Sequence, residues 1–312
     1  MRLKLLLLLC LAVFAAGCTE VVSPPPSAAK PVPDYVPSSV DVAAALGDLT
    51  TLDPCSLVEP VDFGADRAMD PGSLDECAFT VNPGGGGPSV FSVGLVEWLA
   101  QIEDHSSIKS EKGFRHARYS APLVPCGRLV LVDDKMALTA QARQPTEGPK
   151  PAGLCEALDR GFAKVLERLA KGPSAVRHRV FPANSVATAN ACGALPRTVA
   201  DSFPKYRNWP AEHMCEWTDA TTTLRISFGV GSSAPFGAPQ RPVAGRPTGR
   251  LELPGGSEVH CVLNTTHIPF GAGGARENVR LTLAVKGGVM AQVCDRATGL
   301  AEQVWAGLPR VG

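Results

Sequence analysis

Cys77-Ala78-Phe79-Thr80 returns further along the chain as Cys215-Glu216-Trp217-Thr218. Both stretches carry a cysteine-x-aromatic-threonine pattern, which reads as a strand because aromatic and β-branched residues suit a pleated, half-buried surface. Working outward, eight cysteines fall into two sets of four: Cys55, Cys77, Cys126, Cys155 and then Cys192, Cys215, Cys261, Cys294. The gaps are 22, 49 and 29 residues in the first set and 23, 46 and 33 in the second. The match predicts a tandem repeat, and the even number in an oxidising compartment predicts disulfides.

The flanks of the cysteines agree. Asp53-Pro54-Cys55 and Asn190-Ala191-Cys192 each place a helix N-cap residue two before the first cysteine of a set. After the fourth cysteine, apolar residues recur at helical spacing. They are Leu158, Phe162, Val165, Leu166 and Leu169 in the first copy, and Ala297, Ala301, Val304, Trp305 and Leu308 in the second. Steps of three and four give one buried face of an amphipathic helix, so each copy is expected to close with one. Between the cysteines the chain reads as strands. Leu129 to Val132 and Met136 to Ala142 flank Asp133-Asp134 as a hairpin, answered by Val262 to Thr266 and Val279 to Val285. Ser89 to Trp98 and Thr222 to Val230 supply one further strand each.

This layout favours one pairing among the 105 that eight cysteines allow. The third cysteine opens the first hairpin strand, and the return strand ends beside it just before the closing helix begins. Cys126 is thus expected to meet Cys155, and Cys261 to meet Cys294. Cys55 with Cys77 and Cys192 with Cys215 follow by default. Each bond would pin a helix start to the sheet and contribute about 2–4 kcal/mol.

Leu52-Asp53-Pro54-Cys55-Ser56-Leu57-Val58, followed by the cysteine-x-aromatic strand, resembles a large family of uncharacterised actinobacterial lipoproteins. Their marks are a D-P-C-x-L-L-like start and a C-x-W-like strand. The second copy has Asn190-Ala191-Cys192-Gly193-Ala194-Leu195 and Cys215-Glu216-Trp217, and the first has Phe79 in place of the tryptophan. The resemblance implies a secreted, lipid-anchored, disulfide-stapled α+β domain, and it supplies no catalytic residue.

The amino terminus points to the same compartment. Arg2 and Lys4 precede an apolar run from Leu5 to Val13, and Ala15-Ala16-Gly17-Cys18 follows. A basic start, an apolar stretch and small residues before a cysteine form a lipoprotein secretion signal, with Cys18 as the lipid attachment site. An ordinary secretory signal uses the same small residues, and an uncleaved anchor is the third reading, although the run is shorter than the roughly 20 residues of a span. Thr19 to Pro37 contains Pro24, Pro25, Pro26, Pro31, Pro33 and Pro37 and reads as an extended tether. Without residues 1–17 the chain keeps 30 − 2 = 28 basic residues against 30 acidic, a formal charge of −2. No basic stripe is present, which argues against nucleic acid as a partner.

Candidate chemistry is sparse. Gly84 to Gly87 lacks the Gly-Lys-Ser/Thr ending of a phosphate loop. Gly271-Ala272-Gly273-Gly274-Ala275-Arg276 runs into a strand rather than a helix, so it reads as a loop able to touch a partner, with Phe270 at its edge. His213 and His260 stand beside Cys215 and Cys261, but the first copy has no histidine there and oxidised cysteines are not thiolate ligands. His105 and His116 lie near Glu103, Asp104 and Glu111, a polar surface stretch, and Asp133-Asp134 reads as a turn. Trp217 and Trp305 occupy core positions of the repeat, whereas Trp98 and Trp209 are open to a ligand role.

The sequence therefore predicts an α+β chain of two tandem disulfide-stapled domains. Each is an antiparallel sheet with an N-terminal capped helix and a C-terminal amphipathic helix. The expected divisions are 1–18 (signal and lipidated cysteine), 19–37 (tether), 38–171 (first repeat), 172–186 (linker) and 187–312 (second repeat). The predicted function is a non-enzymatic binding or interaction module, lipid-anchored through Cys18 at the outer face of the cytoplasmic membrane. Its partner would be a small ligand, a lipid, a wall polymer or an envelope protein, with no cofactor and no metal. The alternative is a cell-envelope hydrolase without a recognisable motif.

Overall fold

The computed structural model describes residues 40–64, 73–81, 89–102, 105–121, 123–144, 151–239, 242–271 and 274–311. The predicted signal with Cys18, the predicted tether and the tetraglycine lie outside them. Ser38–Gly312 form one compact unit. The unit is α+β, with two antiparallel sheets and four disulfides.

The first sheet contains β1 (Cys77–Val81), β2 (Ser89–Trp98), β3 (Lys109–Glu111), β4 (Phe114–Ala121), β5 (Val124–Leu131) and β6 (Met136–Arg143), in the order β1-β2-β6-β5-β4-β3. The second contains β7 (Lys205–Asn208), β8 (Met214–Thr218), β9 (Thr222–Gly231), β10 (Ala238–Pro239), β11 (Thr248–Gly255), β12 (Glu258–Pro269) and β13 (Arg276–Lys286). Its order is β10-β11-β12-β13-β9-β8-β7. Read from the other end and without β7, that is the strand order of the first sheet. Alternation explains the strands: Cys77, Phe79 and Val81 of β1 and Leu224, Ile226 and Phe228 of β9 turn into the core while their neighbours turn away. The turn between β5 and β6 is made by the Asp133 carboxylate, which accepts from the backbone N–H groups of Lys135 and Met136, both at 2.7 Å.

Each sheet is covered on one face by a helix that follows its last strand. Four helices occur among the described residues: α1 (Val42–Leu46), α2 (Leu154–Leu169), α3 (Arg197–Ala200) and α4 (Met290–Gly307). Helix α2 buries Leu154, Leu158, Phe162, Val165 and Leu169 against the first sheet. Phe63, Phe79 and Phe91 meet there, with Phe63 edge-on to the other two at 4.9 and 5.6 Å between ring centres. Such pairs add roughly 0.5–1.5 kcal/mol beyond their burial. Gly161 of α2 leaves room for Phe63, since a Cβ there would stand 2.2 Å from the ring. Helix α4 buries Val293, Ala297, Ala301, Val304 and Trp305 against the second sheet, and the Trp305 indole donates to Thr248 at 3.2 Å.

The disulfides are Cys55–Cys77, Cys126–Cys155, Cys192–Cys215 and Cys261–Cys294. This is the pairing expected from the hairpin layout. The N-caps at Asp53 and Asn190 form as read, accepting from the Cys55 and Cys192 amides at 3.2 and 2.8 Å. They start 3-10 turns of four residues, Pro54–Leu57 and Ala191–Ala194, rather than longer helices. Just past the disulfide the chain turns extended, at Val58 and at Leu195, which stops the helix after one turn. Residues 172–186, expected as a linker, are built into the unit. Asp53 N–H donates to the Arg177 carbonyl at 2.9 Å, Arg179 N–H donates to the Thr51 carbonyl at 2.7 Å, and the Arg179 guanidinium reaches the Asp53 carboxylate at 2.9 Å.

Candidate functional site

The N-terminal sheet and its helix leave a groove between α2 and the outer strands β3 and β4. It encloses about 650 Å³ and is lined by Ser106, Ser107, Lys109, Glu111, Lys112, His116, Ala117, Arg118, Arg128, Asp159, Phe162, Ala163 and Leu166. That volume lies in the usual range of small-ligand sites, about 300–1,000 Å³. Strand register builds its floor: Arg118 of β4 stands directly opposite Arg128 of β5. Two like charges facing each other in a sheet repel. Asp159, one turn into α2 beyond Cys155, holds them together. Its carboxylate accepts from the Arg118 Nη2 at 3.1 Å and from the Arg128 Nε. The Arg128 side chain is only 6% exposed, so this charge sits at the floor, while Arg118 is 71% exposed at the mouth. One carboxylate between two guanidiniums leaves a unit of positive charge over. The Cys126–Cys155 bond fixes the geometry, since it ties β5 to the start of α2.

The C-terminal sheet has a hollow in the same place, about 620 Å³ between α4 and β11, lined by Pro242, Val243, Arg250, Leu263, Asp295, Thr298, Gly299 and Glu302. Arg250 of β11 faces Leu263 of β12 across the register, as Arg118 faces Arg128. Thr298 lies four residues past Cys294, as Asp159 lies four past Cys155. The charge differs. Leu263 stands where the first sheet has Arg128 in register, Arg250 is paired with Glu252 at 2.6 Å, and Asp295 and Glu302 face the hollow.

A second polar cluster lies buried where the two sheets meet. Asp75, just before β1, and His213, just before β8, are joined at 2.5 Å through the Nδ1, and the Nε2 bonds the Ala187 carbonyl at 3.0 Å. Burial opposes charge on this imidazole, but the Asp75 carboxylate and the Ala187 carbonyl outweigh it and hold its pKa above the ordinary histidine value. Both ring nitrogens face acceptors, so the doubly protonated ring satisfies both. Next to it, the Glu76 carboxylate accepts from Arg143 at 2.6 Å and from the Gln141 amide at 3.2 Å. Burial raises the pKa of Glu76, against the pull of Arg143. Burial likewise raises that of Glu97, countered first by Arg207. Arg207 in turn lies 3.8 Å over the Trp209 ring. Paired carboxylates of raised pKa are what acid–base catalysis uses. Here Glu76 is 9% exposed and Glu97 is half-buried beside the buried Trp209, and the cluster joins the two sheets.

The structure disposes of the other sequence candidates in turn. His116 pairs with Glu111 at 3.7 Å on the rim of the first groove, while His105 bonds its neighbour's carbonyl and Glu103 and Asp104 lie outside the described residues. His213 and His260 are not brought together: His213 is committed to Asp75, and His260 pairs with Glu258 at 3.5 Å. Among the described residues no group of three histidine, cysteine or acidic side chains has metal-binding geometry. Asp134 reaches Arg115 at 2.6 Å, beside the turn made by Asp133. Trp217 and Trp305 are core, as read. Trp98 and Trp209, read as open to a ligand, are used at the junction instead, where the Trp98 indole donates to the Asn208 carbonyl at 2.7 Å. Phe270 lies under the Arg179 guanidinium at 5.1 Å, so it supports the chain near residues 172–186 rather than projecting at a partner. Ala272 and Gly273 lie outside the described residues.

Sequence reasoning missed Arg118, Arg128 and Asp159. A signal was present: Arg128 stands between Cys126 and the apolar run from Leu129 to Val132, and Asp159 follows Leu158 beside the buried face of α2. Comparison with protein-family models, curated proteins and solved structures finds no match.

Proposed function

We propose that this chain is a lipid-anchored lipoprotein of the cell envelope, built from two copies of one disulfide-stapled module, and that it works by binding rather than by catalysis. The matched strand order and matched disulfide spacing support the duplication. The secretion signal ending at Cys18, the resemblance of Leu52–Val58 to actinobacterial lipoproteins, and the four disulfides support the outer face of the membrane as its location. The division at 38–171 and 187–312 follows from the duplication.

The observation that carries the binding reading is the groove under α2. It joins a buried arginine, a shared carboxylate and an apolar helix wall in a volume suited to a small ligand. Hydrolysis would need a nucleophile within hydrogen-bond reach of a base; in this groove Ser106 Oγ accepts from the Arg118 N–H at 3.1 Å and His116 pairs with Glu111 at 3.7 Å, whereas Arg118, Arg128 and the α2 wall suit recognition. The test is native mass spectrometry of the mature protein from an oxidising envelope. A carried mass that disappears on denaturation, and that is lost when Ala163→Trp fills the groove, is the expected result. A protein that carries nothing and turns over wall fragments refutes the binding reading. Metabolic labelling with palmitate, abolished by Cys18→Ala, tests the anchor separately.

A further inference from the structure

The charge left over at the floor of the first groove specifies its ligand more closely. Resting on the binding reading above, we propose that the groove between α2 and β3–β4 takes an amphiphilic organic anion. Its carboxylate or phosphate would sit against Arg118 and Arg128, and its apolar part would lie along α2.

Three observations converge on this. Arg118 and Arg128 face each other in register, yet share one carboxylate, Asp159. A second anion beside them relieves the repulsion that Asp159 only half neutralises. Arg128 is held rigid by its bonds to Asp159 and to the Gly127 carbonyl, the latter at 2.7 Å. It therefore loses little freedom when a ligand arrives, and its Nη2, used in neither bond, is left to donate to an oxyanion. The rest of the lining divides by chemistry. Lys109 and Lys112 add positive charge on the β3–β4 side, whereas Phe162, Ala163 and Leu166 form a wall on α2. Counting the fixed charges of the lining gives four cations (Lys109, Lys112, Arg118, Arg128) and two anions (Glu111, Asp159), a surplus of 4 − 2 = +2. A simple inorganic anion would leave the α2 wall unused, and a neutral lipid would leave the surplus charge unused.

The C-terminal hollow serves as an internal control. It has the same placement and nearly the same volume. Its lining carries one arginine, already paired, against Asp295 and Glu302, so its sign is reversed. Duplicated modules with opposite charge at one place predict that only the N-terminal groove takes the anion.

The experiment is calorimetric titration of the mature chain, disulfides intact and carrying Cys18→Ser so that no attached lipid competes. The probes are decanoate and decyl phosphate below their micelle concentrations. Inorganic phosphate, decyl glucoside and decyltrimethylammonium are the comparison arms. One site per chain is expected for the two anionic amphiphiles. A difference between them identifies the preferred headgroup. Arg118→Glu is exposed and leaves the core untouched, and it should weaken binding about tenfold or more. Ala163→Trp should abolish binding, while Glu302→Lys in the other hollow should leave it unchanged. Equal binding of decyl glucoside or of the cation overturns the anion assignment while leaving a binding groove in place. Equal binding of inorganic phosphate overturns the amphiphile assignment. An unchanged affinity in Arg118→Glu, with the protein folded by circular dichroism, overturns the placement. No heat with any probe, together with no carried mass in the native spectrum, overturns both this proposal and the binding reading.

Discussion

Replacing His213 by alanine should unfasten the two sheets, and the size of the effect follows from the geometry. The imidazole is 2% exposed and Asp75 is 8% exposed, with 2.5 Å between Nδ1 and the carboxylate. Removing the ring leaves the Asp75 carboxylate buried without its partner, which costs about 3–5 kcal/mol for a pair of this kind. The Ala187 carbonyl also loses the donor it has at 3.0 Å, a loss of about 1 kcal/mol that overlaps the first. The expected total is about 4 kcal/mol. Asp75→Asn keeps an acceptor for the Nδ1–H and removes only the charge, so about 1–2 kcal/mol is expected. The double variant should cost less than the sum, because the stranded charge is gone. The pH dependence has a definite sign. The folded state holds the His213 proton more tightly than the unfolded state, whose value is about 6.5. Its stabilisation is therefore complete below about pH 6.5 and is lost as pH rises through the raised folded value. Deprotonation turns one ring nitrogen into an acceptor facing an acceptor. Urea unfolding of the oxidised protein at several pH values between 5.5 and 9 measures this. His213→Ala should flatten the alkaline decline and narrow its gap to the parent protein there. A cost below about 1 kcal/mol at pH 6, or an alkaline decline as steep in the double variant as in the parent, would refute the reasoning; the part of the decline that comes from Glu76 and Glu97, whose pKa values burial raises, persists in both.

Two further outcomes follow from packing and connectivity. Gly161→Ala should destabilise by about 1–3 kcal/mol, because its Cβ would stand 2.2 Å from Phe63, a ring wedged against Phe79 and Phe91; Gly299→Ala on α4 meets nothing within 4 Å and should gain about 0.4–1 kcal/mol in the same melting experiment. Cys126→Ala with Cys155→Ala opens a loop of 29 residues and should cost about 3–4 kcal/mol, and Cys261→Ala with Cys294→Ala, at 33 residues, nearly the same. Unfolding that shifts as much on reduction of either double variant as of the parent would contradict that assignment.

What was legible in the chain was what local chemistry and spacing control. The strand Ser89–Trp98 appears with the bounds read from the sequence, because its apolar run and flanking turns are local. The Asp133 turn, the caps at Asp53 and Asn190, the closing amphipathic helices and the four disulfide pairs depend on neighbours within about 35 residues, and each was within reach. Trp209 shows the limit. Nothing near it in sequence forecasts burial, and it is buried because Arg207 stacks on it and Glu97 of the other sheet approaches it. His213 resembles a metal ligand beside Cys215, yet its partner lies 138 positions away at Asp75.

The sequence by itself determined the composition of each layer: which residues alternate into strands, where the helices begin, and which cysteines are close enough to bond. Those choices rest on dihedral preferences, apolar periodicity and short loop closure. Only the tertiary structure decided that Arg118 and Arg128 stand opposite each other over Asp159, and that Asp75 and His213 close the seam between the sheets. Register across strands and contact between distant segments set electrostatic energy through distance in space, and a one-dimensional order of residues does not contain that distance.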